Sequence, residues 1–351
     1  CGPTTYEWTR RMNPNFGPIW RPGSLSGADG TAEAIAAKDF NNLYRTSCFF
    51  VDPERYRAFC ALYAIMRVVD DRVDEVLAQG CPKEEAILER TVLDAWQRLV
   101  EATLSQKSPN LHDLEMCRDP RAPELFDAFS RAYKQFPVKR QLWDNFFDAM
   151  GEDLRRTRFE TYSDFVRYAQ GATVAPTTVY LYLIASERSD NDEVFRVASD
   201  FMLDSCGQKL GLFAYIVHVL RDLRRDLETG KTGLLYLAGD DMAHRGVNEQ
   251  LLATDLAAGR ASQPLKDLVR DLVDRAQIML EEGKLVAGTL QNRLSPDRLF
   301  VLELIIRIYS ETIAKIIACS YDLMTEQHRL TTTEKESLAR DVALRTLSKF
   351  S

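Results

Sequence analysis

The sequence predicts an all-α protein built as one large helical domain. Three observations predict it. Apolar residues recur at helical spacing through most of the chain. Glycine and proline, 17 and 13 in 351 residues, are sparse beyond the N-terminus. No βαβ alternation, internal repeat or glycine-rich phosphate loop is present. The length is ample for one sizeable hydrophobic core.

The elements follow in order. Residues 1–31 carry Pro14, Gly17, Pro18, Pro22 and Gly23 and read as an extension. We place the extension at 1–38 and the helical domain at 39–351. Asp52-Pro53 reads as an N-cap followed by proline at the first helical position, opening a helix to about Ala78. Further helices are expected near 83–105, 122–135, 139–156, 163–187, 191–228, 246–257, 264–291, 296–325 and 333–348. Loops are expected at 106–121 and from Gly230 to Asp241, and strands are essentially absent.

Composition narrows the function. Lys and Arg number 45 against 52 Asp and Glu, a net charge of −7. With no basic, aromatic-laced stripe, nucleic acid is excluded as a partner. The seven cysteines (1, 48, 60, 81, 117, 206 and 319) show no CxxC and no pairing with histidine. They read as free thiols in a reducing, cytoplasmic compartment. No membrane span or signal peptide is visible. The chain opens on Cys1, as a trimmed chain or a mature lipoprotein would. Leu299 to Ala318 is the most apolar stretch, yet Glu303, Arg307, Glu311 and Lys315 recur every fourth residue, one alternating-sign stripe on a buried helix.

The chemistry lies in where the acids sit. In Tyr63-Ala-Ile-Met-Arg67-Val-Val-Asp70-Asp71-Arg72-Val-Asp74, Asp70 and Asp74 stack on one helical face, with Arg67 and Tyr63 one and two turns earlier. In Tyr215-Ile-Val-His218-Val-Leu-Arg221-Asp222-Leu-Arg-Arg-Asp226, a second apolar helix carries Asp222 and Asp226 in the same way. Like charges at this spacing destabilise a helix by roughly 0.2–0.5 kcal/mol unless a cation intervenes. Each pair reads either as a solvated helix end bridged to arginines or as half of a carboxylate cluster. Such a cluster suits Mg²⁺, which takes one or two carboxylates plus phosphate oxygens and water. A Mg²⁺ site with arginines would hold a diphosphate leaving group. The apolar helices would wall a dry pocket for a hydrocarbon tail.

These segments resemble a known family. Pro53 to Glu75 resembles the first aspartate-rich motif of the squalene/phytoene synthase family, and Leu220 to Asp226 its second, followed by Lys231 and Tyr236-Leu237. Met150 to Thr161 and Tyr168-Ala-Gln-Gly171 fit the pattern between them, and Thr46 to Phe50 matches an early Ser/Phe motif more weakly. The similarity spans about residues 40–325. It implies a domain of the isoprenoid synthase type, with a central cavity, that joins two isoprenyl diphosphates head to head. On that resemblance, Asp70, Asp74, Asp222 and Asp226 bind Mg²⁺. Tyr63, Arg67, Tyr168 and Arg221 are catalytic. Arg67, Tyr215, His218, Arg221, Lys231 and Tyr236 contact substrate. A cyclopropyl diphosphate forms first; a second ionisation ends in NADPH reduction or in proton loss. Two farnesyl diphosphates are the expected substrates, and a greasy product favours peripheral membrane contact. Oligomeric state is not legible.

This chain departs from the family pattern in places. Tyr215 and His218 stand where glutamine and asparagine are usual, and an imidazole nitrogen is a poor Mg²⁺ ligand. Ala175-Pro176-Thr177 replaces the usual Val-Gly, so the lining helix is expected to kink at Pro176. A head-to-tail synthase or terpene cyclase, and a non-catalytic lipid-binding or assembly relative, remain alternatives. Tyr180 and Tyr182 read as cation-pocket or core residues. Glu152 and Asp153 read as support for the acid cluster or as surface. His112, His244 and His328, with Arg224 and Arg225, are expected in solvent.

Overall fold

The computed structural model describes residues 17–78, 83–155, 158–188, 192–228, 235–291 and 293–350. Cys1, Cys81 and Lys231 lie outside them. α1 (Gly27–Ala36) and α2 (Asn42–Ser47) precede the long α3 (Pro53–Ala78). α4 (Lys83–Leu104), α5 (Leu111–Met116), α6 (Ala122–Gln135) and α7 (Arg140–Asp153) follow. Then come α8 (Tyr162–Ala169), α9 (Ala175–Ala185) and α10 (Asp200–Glu228). α11 (Gly239–His244), α12 (Glu249–Ala258), α13 (Gln263–Gln291), α14 (Pro296–Ala318) and α15 (Thr332–Phe350) complete the chain. The all-α expectation holds. No helix among the described residues is long and apolar enough to cross a membrane.

The long helices form where the pattern places them. The Asp52 carboxylate accepts from the Glu54 N–H at 2.9 Å, capping α3 as its sequence implies. α10 is apolar nearly all round because it packs on several partners at once. It runs along α13, where Gly283 has no Cβ to meet Leu210. On another face Gly207 and Gly211 let α9 and the turn before it approach closely: a Cβ on Gly211 would sit 2.7 Å from the Val174 Cα.

Several boundaries differ, each for a local reason. α10 begins at Asp200, not 191. Residues 192–199 are instead tied to neighbouring helix ends: Phe195 stacks on Phe136 at 4.2 Å and its carbonyl accepts from the Tyr182 hydroxyl at 2.8 Å. α14 stops at Ala318, not 325, because Ser320 and Tyr321 take left-handed φ of 54° and 62°. Neither glycine nor proline announces that stop. The kink expected at Pro176 is a π-turn over Gln170–Val174 feeding α9, whose proline has no N–H to give the preceding turn. Gly171 in that turn is obligatory, since a Cβ there would lie 1.9 Å from the Asn145 carbonyl oxygen.

The short elements escaped the sequence reading. α5 lies within the expected 106–121 loop, and α1 within the expected extension. α1 buries Ala32, Ile35 and Ala36 against α3 and α6. Its Glu33 accepts from the Tyr56 hydroxyl at 2.6 Å and from the Gly23 and Leu25 N–H groups at 3.0 Å. Two strands exist among the described residues as well. β1 (Arg158–Phe159) pairs in parallel with β2 (Leu235–Ala238), bringing the segments after α7 and α10 together. The charged stripe of α14 is partly covered: Lys315 pairs with Glu334 at 2.8 Å and Glu303 with Lys349, both on α15. The described cysteines 48, 60, 117, 206 and 319 are free.

Candidate active site

A cavity of about 900 Å³ gathers most of the singled-out residues. α3 contributes Tyr63, Arg67, Asp70 and Asp74; α8 contributes Tyr168. α10 contributes Tyr215, His218, Arg221, Asp222 and Asp226, and β2 contributes Tyr236. Below the polar groups the lining turns apolar, with Phe146, Leu181, Leu210, Phe213, Leu302 and Ile305.

One wall is acid-rich. Asp70 and Asp74 stand one turn apart on α3 beside Asp71, and the end of α7 adds Asp153. Arg67 is engaged by Asp71 at 2.9 Å and Asp39 at 3.4 Å, and Lys38 also pairs with Asp71 at 2.7 Å. Burial first, then the charge of Asp74, pushes the Asp70 carboxyl up to about 7. Such a group resists ionisation until a cation reaches it. The donor set therefore fits Mg²⁺: hard oxygens, closely spaced and short of positive charge. Among the described residues no three His, Cys, Asp or Glu side chains gather as a metal site. A metal here would rely on this pair with phosphate oxygens and water.

The other wall is cationic. Asp222 is 2% exposed, and four side chains cover its carboxylate. Oδ1 accepts from Arg221 Nε at 3.1 Å and Arg329 at 2.9 Å. Oδ2 faces Arg221 Nη2 at 2.5 Å, His218 Nε2 at 2.9 Å and Arg225 at 3.3 Å. Burial would raise this carboxyl, but the His218 and Arg221 hydrogen bonds outweigh it and hold Asp222 well below the usual range. Asp226 faces Arg225 Nε at 3.8 Å. Asp222 does not fit a metal, because both of its oxygens already accept from cations.

A third group is aromatic. The rings of Tyr168, Tyr215 and Tyr236 lie 5.9 to 6.4 Å apart. The Tyr168 hydroxyl donates to Asp153. Tyr63 stacks on Phe59 at 5.2 Å, and burial keeps its hydroxyl protonated. Tyr180 lines the cavity with its hydroxyl 2.7 Å from Thr46 Oγ1, which gives the early Ser/Phe motif a place near the site. Tyr182 spends its hydroxyl on the Phe195 carbonyl.

Some site residues were not read from the sequence. Arg329 follows α14 and reaches Asp222 from 107 positions away. Lys335 of α15 lines the cavity and donates to Asn42 Oδ1 at 2.9 Å. His328, expected in solvent, is fully buried, its Nε2 3.0 Å from the Arg221 carbonyl oxygen. Arg225 is half-exposed yet joined to Asp222, whereas Arg224 bonds the Met324 carbonyl at 2.9 Å. Asp153 lines the cavity, while Glu152 faces Arg167 at 3.7 Å. Asp153 thus takes the first of its two expected places, whereas Arg329 and Lys335 carried no sequence signal beyond their polarity.

The sequence model of the squalene/phytoene synthase family matches residues 38–336. The chain belongs to this family. Its members are prenyltransferases that join isoprenyl diphosphates, with a divalent metal assisting diphosphate binding. Phytoene synthase 1 of Solanum lycopersicum is 22% identical over 316 residues, covering 89% of this chain and 67% of that protein. Phytoene synthase 1 of Zea mays is 23% identical over 250 residues, covering 70% and 52%. The chain thus spans about half to two thirds of these relatives. A dehydrosqualene synthase structure superposes with a TM-score of 0.68 at 20% identity, covering 92% of this chain and 97% of that one. Squalene synthase HpnC from Alicyclobacillus acidocaldarius gives 0.61 at 16%, covering 84% and 98%. These likenesses carry the fold.

Proposed function

We propose that this squalene/phytoene synthase family member condenses two farnesyl diphosphates head to head, with Mg²⁺, through a cyclopropyl diphosphate to a squalene- or phytoene-like product. The observation that carries the reading is the convergence of both aspartate-bearing helices and six tyrosines on one cavity that also has an apolar lining. At about 900 Å³ it stands near the top of the roughly 300–1,000 Å³ range of ligand pockets, as a site for two chains requires.

Each group has a part. Asp70 and Asp74 would hold the Mg²⁺, which when bound neutralises diphosphate and improves it as a leaving group. Arg67 and Arg221 orient diphosphate oxygens. Tyr63, Tyr168, Tyr215 and Tyr236 offer π-faces to the allylic cation left by ionisation. The apolar floor excludes the water that would quench that cation. The acceptor's double bond attacks it, and proton loss closes the cyclopropane ring. A hydrocarbon product of this size would leave toward a membrane surface.

Labelled farnesyl diphosphate with Mg²⁺, with and without NADPH, is expected to give a C30 product by gas chromatography and mass spectrometry. A NADPH-dependent product identifies reductive termination. A C40 product from geranylgeranyl diphosphate alone would move the substrate to C20. If neither substrate releases diphosphate with any divalent metal, the reading fails.

A further inference from the structure

The two polar walls carry opposite charge, and only one suits a metal. We infer that the wall around Asp222 takes one diphosphate directly through cationic side chains, with no metal ion on Asp222, so that the two substrate diphosphates are held by different chemistry. The inference rests on the diphosphate-joining function proposed above.

A carboxylate offers about four lone-pair sites. Asp222 spends them on five contacts from four side chains, leaving no position for a metal. Mg²⁺ demands ligands at roughly 2.0–2.1 Å in near-octahedral array. Seating one would mean driving Arg221 and Arg329 off a buried anion. Asp222 is better understood as a counter-ion that gathers the cations and aims them.

Those cations line the cavity with N–H groups suited to phosphate oxygens. A guanidinium carries five N–H groups in a fork that matches phosphate oxygens. Arg221 places two of its nitrogens on Asp222. Arg329 divides its nitrogens between Asp222 at 2.9 Å and Glu326 at 2.8 Å. Arg225 is 55% exposed and His218 51%, both on the cavity. Lys335 lines the same cavity, and its three-donor ammonium gives one bond to Asn42. Arg45, Arg221 and Arg329 crowd that ammonium. Four cationic side chains (Arg221, Arg225, Arg329 and Lys335) thus meet three carboxylates (Asp222, Asp226 and Glu326), a surplus that a diphosphate would neutralise.

Two measurements on the full chain test this. Calorimetric titration with inorganic diphosphate in EDTA is expected to show binding. Arg329→Gln and Lys335→Gln should each weaken it at least tenfold, and Asp70→Asn should leave it within twofold. In Mn²⁺ titration followed by electron paramagnetic resonance, binding reduces the free-ion signal; Asp70→Asn should lose this reduction and Asp222→Asn should keep it. Should Asp222→Asn fail to fold by circular dichroism, the diphosphate titration in EDTA carries the test. Absence of wild-type diphosphate binding in EDTA, or loss of Mn²⁺ binding in folded Asp222→Asn, overturns the inference. Metal-free diphosphate binding without turnover of either farnesyl or geranylgeranyl diphosphate would sink the enzymatic reading alone; turnover without metal-free binding would sink this one alone.

Discussion

The acid-rich and cationic walls start from the same device, two aspartates four residues apart near the end of an apolar helix, and finish with opposite electrostatics. Around Asp70 the neighbours are Asp71, Asp74 and Asp153, and the nearby Arg67 is shared with Asp71 and Asp39. Around Asp222 they are His218, Arg221, Arg225 and Arg329. Burial pushes both carboxyls toward the neutral form. It prevails at Asp70, which rises to about 7, and is overcome at Asp222, which stays ionised. Spacing makes an acid pair; its neighbours decide whether that pair awaits a cation or organises several.

This contrast can be broken experimentally. The largest effect belongs to Asp222→Ala, which strips the counter-ion from a buried cation cluster. Urea unfolding should show a loss of roughly 3–5 kcal/mol. Unchanged stability would mean that the cations do not lean on Asp222. Asp70→Asn should do the reverse, preserving or raising stability while turnover drops on the order of a hundredfold or more. A thermal melt beside a product assay separates the two.

A smaller effect sharpens the cationic side. Burial, then the charges of Arg45, Arg221 and Arg329, lowers Lys335 to about 8. Diphosphate affinity should be full below that pH and decline as pH rises through it. The stability sign is opposite. Between about 8 and the usual 10.5 the folded chain binds fewer protons than the unfolded one, so this group makes stability rise with pH. Lys335→Arg should flatten both profiles, read by calorimetry and by denaturation across pH. Smallest of all, His218→Asn should hold turnover within about a hundredfold, since the imidazole gives the ionised Asp222 one hydrogen bond worth roughly 1.5–3 kcal/mol. Complete loss of turnover would assign the imidazole chemistry of its own.

The long helices and both acid pairs were legible because their signals lie within a turn or two of chain. Asp52-Pro53 opens α3 by local capping, and Tyr63, Arg67, Asp70 and Asp74 share a face by helical geometry alone. Short elements were not legible. α1, α2, α5 and α11 have ten residues or fewer and rest on packing. The end of α14 turns on left-handed Ser320 and Tyr321, which carry no glycine signature.

By itself, then, the sequence determined an all-α chain with two carboxylate pairs on apolar helices, because helical periodicity and i,i+4 stacking are properties of neighbouring residues. Only the tertiary structure decided what each pair faces. Arg329 reaches Asp222 across 107 residues, His328 is buried beneath Arg221, and Lys335 arrives on the last helix. Charge at a buried site is a sum over spatial neighbours, and the spacing along the chain does not encode which cations will be among them.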